Sequence, residues 1–233
     1  IMSKKLAAGS DAIVLDVKTG SGAFMKTLED SIRLAQAMVQ IGEHNGRRTI
    51  ALITDMDVPL GHAIGNSLEV IEAVQTLKGH GPADLTEVCM QLASNMLSLA
   101  GKGDLPACRK LAQEAIQSGR AYEKLRAMAA ALGGDVSVLD DPNKFAKAPV
   151  VSEMKAQADG YITHIQTEQC GNASSVLGAG RESKEDTIDP SAGIVLVKKN
   201  GDAVAVGDTI ARLYTSRKQS LEQARKIMLN AIE

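Results

Sequence analysis

Ser3-Lys4-Lys5-Leu6-Ala7-Ala8-Gly9-Ser10-Asp11-Ala12-Ile13-Val14-Leu15-Asp16-Val17-Lys18-Thr19-Gly20-Ser21-Gly22-Ala23-Phe24-Met25 sets three elements on one line. A short basic helix end stops at Gly9, an apolar run from Ala12 to Val17 reads as a buried strand, and a glycine loop follows. Ligands of open α/β sheets sit at the carboxyl ends of the strands, which places Thr19, Gly20, Ser21 and Gly22 for binding. Lys4 and Lys5 lie just upstream and are able to converge on the same cleft. Taken alone the loop is a generic feature, with neither the GxGxxG nor the GxxxxGK[ST] spacing of a phosphate cradle. Two adjacent lysines at a helix end are commonly solvated charges favoured by the negative end of the helix dipole.

Outward from this stretch, Thr27 caps a helix with Glu29 and Asp30 in its first turn and Ile32, Leu34, Ala35, Met38 and Val39 at helical spacing. Asn45-Gly46 supplies its stop, and Arg47 to Thr54 is a second buried strand, so strand, helix and strand form a parallel βαβ unit. The polar, glycine-containing segment from Asp55 to Asn66 then points at the same edge of the sheet. Asn66 is expected to cap the next helix, through Leu77, with Glu69 at capping-box spacing. His62 is a lone histidine with no triad partner nearby and is not nominated as a catalyst.

From Pro82 to Gly133 the pattern is helical, in three stretches ending near Gly101 to Gly103, at Ser118-Gly119 and at Gly133-Gly134. Met90, Leu92, Met96, Leu97 and Leu99 form a core stripe, and Asp104 with Pro106 starts the middle helix. A boundary falls at Asp140-Asp141-Pro142. Beyond it short strands are expected at Val150 to Lys155, Gly160 to Ile165, Gly193 to Lys198 and Thr209 to Tyr214. A helix from Asn172 to Leu177 interrupts them, and Leu221 to Ile232 closes the chain. Lys199-Asn200-Gly201-Asp202-Ala203-Val204-Ala205-Val206-Gly207-Asp208 resembles the KxGDxVxxGD turn of lipoyl-like hammerhead domains. The nearest candidate for a modified lysine, Lys155, lies within a strand, so a structural domain is the favoured reading over a carrier. The charges of the segment Gly180 to Asp189 are read as a fold and interface device.

The fold class is therefore α/β, a mixed, mostly parallel sheet flanked by helices, followed by a small α+β hammerhead-like domain. The expected units are 1–10, the end of a helical domain, then 11–142 and 143–233. The first residue is Ile rather than Met, and a helix opening on Ile1-Met2-Ser3 has no room for an N-cap; a fragment of a longer protein is the natural expectation.

Composition narrows the chemistry. With 26 Lys+Arg against 28 Asp+Glu and only 2% aromatic residues, neither a basic footprint nor base-stacking platforms are available, so nucleic acid is not an expected partner. Cys89, Cys108 and Cys170 are odd in number and widely spaced, which points to reduced thiols and a cytoplasmic protein. No apolar run reaches spanning length and no signal peptide is evident, so no membrane partner is expected.

The segment SKKLAAGSDAIVLDVKTGSGAFMK resembles the corresponding segment of the pyrimidine nucleoside phosphorylases, the group that includes thymidine phosphorylase. The resemblance implies that Lys4 contacts a carbonyl oxygen of the pyrimidine base and that Ile1 and Phe24 flank it. A second segment, matching P-L-G-x-A-x-G-N-x-L-E-V-x-E, implies a monovalent cation, usually potassium, held by the backbone carbonyls of Leu60 and Ala63 and the side chain of Glu72. Without the resemblance Glu72 would read as an exposed helical acid. The family reaction is reversible phosphorolysis, in which phosphate attacks the anomeric carbon of a pyrimidine nucleoside and the base departs. The resemblance places the phosphate loop and the catalytic residues upstream of Ile1, so no catalytic residue is expected within this chain, which alone would be inactive. It also implies a homodimer for the full-length protein. The competing readings are a phosphoribosyltransferase of related fold, which would need magnesium and pyrophosphate, and a non-catalytic interaction module.

Overall fold

A computed structural model of the chain describes residues 1–181 and 183–233. The amino-terminal part opens with α1 (Met2–Ala7), then β1 (Ala12–Thr19), α2 (Leu28–His44) and β2 (Arg48–Asp55). Alternation decides how β1 sits: Ile13, Leu15 and Val17 are buried while Asp16 faces solvent. The strands pair in parallel from Ala12 opposite Arg48 to Thr19 opposite Asp55, with α2 as the crossover. The Thr27 hydroxyl accepts the Asp30 N–H at 3.2 Å, satisfying one of the open donors of the first turn. Ala35 and Met38 of α2 and Met2 of α1 pack on the buried face of β1.

The chain continues through β3 (Ala63–Gly65), α3 (Asn66–Leu77), α4 (Ala83–Leu99), α5 (Leu105–Gln117), α6 (Arg120–Ala131) and α7 (Ser137–Asp140). The three long helices end at the glycine signals as expected, and the Asp104 carboxylate accepts the Ala107 N–H at 2.9 Å. The cap of α3 differs by one residue from the expectation. Gly65 occupies the cap position, and Glu69 reaches back to its N–H at 2.9 Å. Asn66 is instead the first helical residue, and its amide donates to the Ala179 carbonyl at 2.9 Å. Gly65 is already pinned in β3, so the helix can only start at the next residue.

The carboxyl-terminal part contains β4 (Val150–Lys155), β5 (Gly160–Tyr161), α8 (Thr167–Leu177), β6 (Gly193–Leu196), β7 (Ala203–Val204), β8 (Thr209–Thr215) and α9 (Leu221–Ala231). The fold is α/β with a carboxyl-terminal α+β unit, and among the strands of the described residues parallel pairing is confined to β1 and β2. The larger sheet runs β3-β6-β8-β4, all antiparallel. Met154, Ile165, Leu177, Ile194, Leu196, Leu213 and Met228 fill its core, with α8 and α9 packed together over it. The expected strand from Gly160 to Ile165 shortens to two residues. Its remainder ties down the chain end instead, through Thr163 N–H to the Glu233 carbonyl at 2.7 Å and Gln166 N–H to the Ala231 carbonyl at 2.8 Å. Lys155 lies within β4, ion-paired to Glu153 at 2.8 Å.

β3 has no counterpart in the reading of the sequence. It belongs to the amino-terminal half in sequence but pairs with β6, Ala63 opposite Val195 and Gly65 opposite Gly193. Within the segment Gly180 to Asp189, Glu182 lies outside the described residues. Asp189 has a fold role, accepting from Ser191 N–H at 2.9 Å and Ser216 N–H at 3.2 Å. All three cysteines are free, and burial pushes the Cys170 thiol up to about 12.

Candidate functional site

The glycine loop after β1 and the loop after β2 meet at the carboxyl edge of the parallel pair. Met56 N–H donates to the Thr19 carbonyl at 2.7 Å, Gly22 N–H to the Met56 carbonyl at 3.0 Å, and Ser21 N–H to the Asp57 carboxylate at 2.9 Å. Gly20 N–H donates to the Met25 carbonyl at 3.1 Å and Ala23 N–H to the Gly20 carbonyl at 3.0 Å. Every backbone donor from Gly20 to Ala23 is thus engaged within the protein, so the loop offers no ring of free N–H groups to an anion. Gly20 is required here: its φ is +121°, and a Cβ would lie 2.5 Å from the Asp57 nitrogen. The backbone and side-chain hydrogen bonds from Ser21 hold the Asp57 carboxyl below its ordinary range. At the rim of this loop Phe24 is 92% exposed.

Lys4 and Lys5 line a cavity of about 320 Å³ together with Ala8, Ser10, Ala12, Ile13 and Val14. That cavity abuts the amino-terminal half of β1 and contains neither Ile1 nor Phe24, so the three residues expected around a base are not gathered in one cavity. Ile1 is exposed at the start of α1. Among the described residues the Lys4 and Lys5 ammonium groups have no hydrogen-bond or ion-pair partner.

The segment from Pro59 to Ala63 is more tightly built. Glu72, nearly two turns into α3, turns back on it, and its Oε1 accepts the His62 N–H at 2.9 Å and the Ala63 N–H at 3.2 Å. The His62 carbonyl accepts from Leu196 N–H at 2.9 Å. The next residue, Ala63, therefore sits at a position of the antiparallel ladder whose N–H and C=O turn away from β6. Among the described residues nothing donates to the Leu60 carbonyl. Ala63 and Glu72 both line a cavity of about 400 Å³ with His62, Gln75, His80 and Val195. The His62 ring Nδ1 donates to the Leu196 carbonyl at 2.9 Å, a structural bond in keeping with its not being read as a catalyst.

Two residues of this site escaped the sequence reading. The Lys199 ammonium, from the turn after β6, donates to the carbonyls of Pro59 and of Gly61, the latter at 2.6 Å, and pairs with Asp84 of α4 at 3.0 Å. Asp84 also accepts the Gly61 N–H at 3.1 Å. Burial pushes the Asp84 carboxyl up, but the hydrogen bonds from Lys199, Leu85 and Gly61 outweigh it and the net shift is downward. No local spacing marks either residue; Lys199 reads simply as part of a turn.

Gly61 has a φ of +69°, and a Cβ there would lie 2.2 Å from Glu72 Oε2. Gly61→Ala is expected to destabilise the chain by about 1–3 kcal/mol, from left-handed strain and displacement of Glu72. Urea unfolding measures it; a loss under about 0.5 kcal/mol, the range of ordinary surface changes, would contradict this loop geometry.

Residues 1–122 match the model of a glycosyl transferase family a/b domain, and residues 161–233 match that of the pyrimidine nucleoside phosphorylase C-terminal domain. The chain belongs to the pyrimidine-nucleoside phosphorylase family. It is 50% identical over 231 residues to a pyrimidine-nucleoside phosphorylase of Geobacillus stearothermophilus, covering 99% of this chain and 53% of that protein. It is 52% identical over 228 residues to one from Staphylococcus aureus (strain USA300), covering 97% and 53%, and 53% identical over 220 residues to one from Staphylococcus epidermidis, covering 94% and 51%. The chain thus spans about half the length of the curated relatives it matches. The β3–β6 pairing joins the two segments that the family models match separately, because Ala63–Gly65 falls in the first and Gly193–Leu196 in the second. Among the described residues no helix is long and apolar enough to cross a membrane.

Proposed function

We propose that this chain forms part of a pyrimidine nucleoside phosphorylase that catalyses the reversible phosphorolysis of uridine, thymidine and deoxyuridine to the free base and the (deoxy)ribose 1-phosphate. The observation that carries the reading is similarity at about half identity along nearly the whole chain to proteins of that name. Phosphate is the co-substrate. In the reaction, negative charge builds on the departing pyrimidine, and the Lys4 ammonium, unpaired among the described residues, stabilises it through a base carbonyl oxygen. Ile1 and Phe24 flank the ring; both side chains are exposed and available to it. The protein works as a cytoplasmic homodimer, organised in this chain as 1–10, 11–142 and 143–233.

In the same reading a potassium ion is held by the carbonyls of Leu60 and Ala63 and by Glu72. Three features support the fit: an Ala63 carbonyl turned out of the ladder, a Leu60 carbonyl with no donor among the described residues, and Glu72 folded back on the loop to accept the His62 and Ala63 N–H groups. A hard cation prefers such oxygen donors. When bound it would supply a fixed positive charge that binds the loop to α3.

The test is release of uracil and thymine from uridine and thymidine in phosphate buffer, by this chain and by a polypeptide of the relatives' full length. Turnover by the longer polypeptide alone is the expected result. Turnover by neither would remove the phosphorylase reading and direct attention to pyrophosphate-linked transfer.

A further inference from the structure

We infer that Lys199 is a positioning residue for the monovalent cation, its ammonium fastening the carbonyls on either side of Leu60 so that Leu60 and Ala63 present theirs to the ion. The inference rests on the reading of that loop as a cation site. Its basis is the placement of one charged group. The Lys199 side chain is only 18% exposed and contacts Pro59, Gly61 and Asp84 at once. A lysine ammonium has three donors, and here each has a named acceptor from the amino-terminal half of the chain.

The alternation along the loop gives the contact its meaning. Pro59 and Gly61 carbonyls are taken by the ammonium, while the carbonyl of Leu60 between them has no donor among the described residues. On the far side of Gly61, Glu72 holds the N–H groups of His62 and Ala63. The loop is therefore clamped from two sides, by an ammonium on its carbonyls and by a carboxylate on its N–H groups.

Charge is consistent with a single monovalent ion. Glu72 and Asp84 bring two negative charges and Lys199 one positive, leaving one negative charge at the loop. Asp84 neutralises the ammonium at 3.0 Å, so Lys199 can brace the loop without repelling a second cation beside it. Lys199 is itself fixed at the start of its turn, where its N–H donates to the Asp202 carboxylate at 2.7 Å. The carboxyl-terminal unit thereby sets the geometry of a loop that it does not contain.

The experiment is thermal melting of the chain in potassium chloride against choline chloride at matched ionic strength, for the wild type and Lys199→Met. An ion that binds the folded state alone raises the melting temperature with its concentration. The wild type should show a potassium-specific rise, and Lys199→Met should need roughly tenfold more potassium or more for half of it, the usual effect of losing a group that orients metal ligands. Lys199→Gln, which keeps two amide N–H donors without the charge, is read in the same way should Lys199→Met fold poorly. A variant that melts lower but keeps the wild-type half-effect concentration would reduce Lys199 to a brace of the fold and overturn the inference, leaving the cation reading intact. A wild type indifferent to potassium would overturn both.

Discussion

Leu213→Ala is expected to lower the stability of the chain by about 2–5 kcal/mol, the range for truncating a buried leucine in a core that cannot collapse on the space. Leu213 is 0% exposed and sits on β8, an inner strand of the larger sheet, opposite Ile194 on β6 and Ser152 on β4. Around it the core is built from Met154, Leu177, Ile194, Leu196 and Met228, whose backbones are held by strand ladders and helices on both sides. Such walls do not move inward, so a cavity remains and adds to the lost transfer free energy. The measurement is urea unfolding with an unchanged slope, so that the midpoint alone carries the effect. Val151→Ala, on the same sheet but 53% exposed, is the control and should change stability by no more than about 0.5 kcal/mol. If the two variants lost similar amounts, the sheet face identified as core would be wrong. The effect has a functional side, because β6 carries β3, and β3 carries Ala63. Loosening β8 loosens the loop at the proposed cation site.

What was legible in the sequence follows from how local its physics is. The unit β1–α2–β2 could be read because each part is specified within its own residues: the alternation of Ile13, Leu15 and Val17, the Thr27 cap and the Asn45-Gly46 stop. Helices α4, α5 and α6 were readable for the same reason. β3 was not, since three residues in a glycine loop carry no alternation and its neighbour is distant; the His62 to Leu196 contact spans 134 residues. Lys199 was hidden likewise, because its ammonium acts 138 residues from Gly61 while its own surroundings spell only a turn. The glycine loop shows the converse limit. Its place at the carboxyl end of a strand suggested binding, but whether an N–H is free depends on what packs beside it, and Met25, Asp57 and Met56 accept the N–H groups of Gly20, Ser21 and Gly22. Resemblance named Glu72, Leu60 and Ala63; only the fold reveals what holds them in place.

Lys4→Met, made in a polypeptide of the relatives' full length, is expected to reduce kcat and kcat/KM together by roughly 10²–10³-fold, as for removal of one preorganised group facing developing charge. In the proposed reaction the two constants should fall in parallel, because the pyrimidine would gain its negative charge only as the glycosidic bond breaks and the ammonium would act on the transition state more than on the bound nucleoside. The Lys4 ammonium has no carboxylate partner among the described residues, so its charge is not already cancelled within the chain. Lys5 supplies the internal comparison. It is equally charged, equally unpaired among the described residues and lines the same cavity, but on a helix adjacent residues do not share a face. If the effect is a directed contact with a base oxygen, Lys5→Met should change the rate by less than about tenfold, which is under 1.4 kcal/mol of barrier. Equal losses from both substitutions would mean that the pair acts as a diffuse positive field on α1, and that no single lysine is aimed at the leaving group. A fall in kcat/KM with kcat untouched would instead assign Lys4 to ground-state binding, because uniform binding moves KM alone.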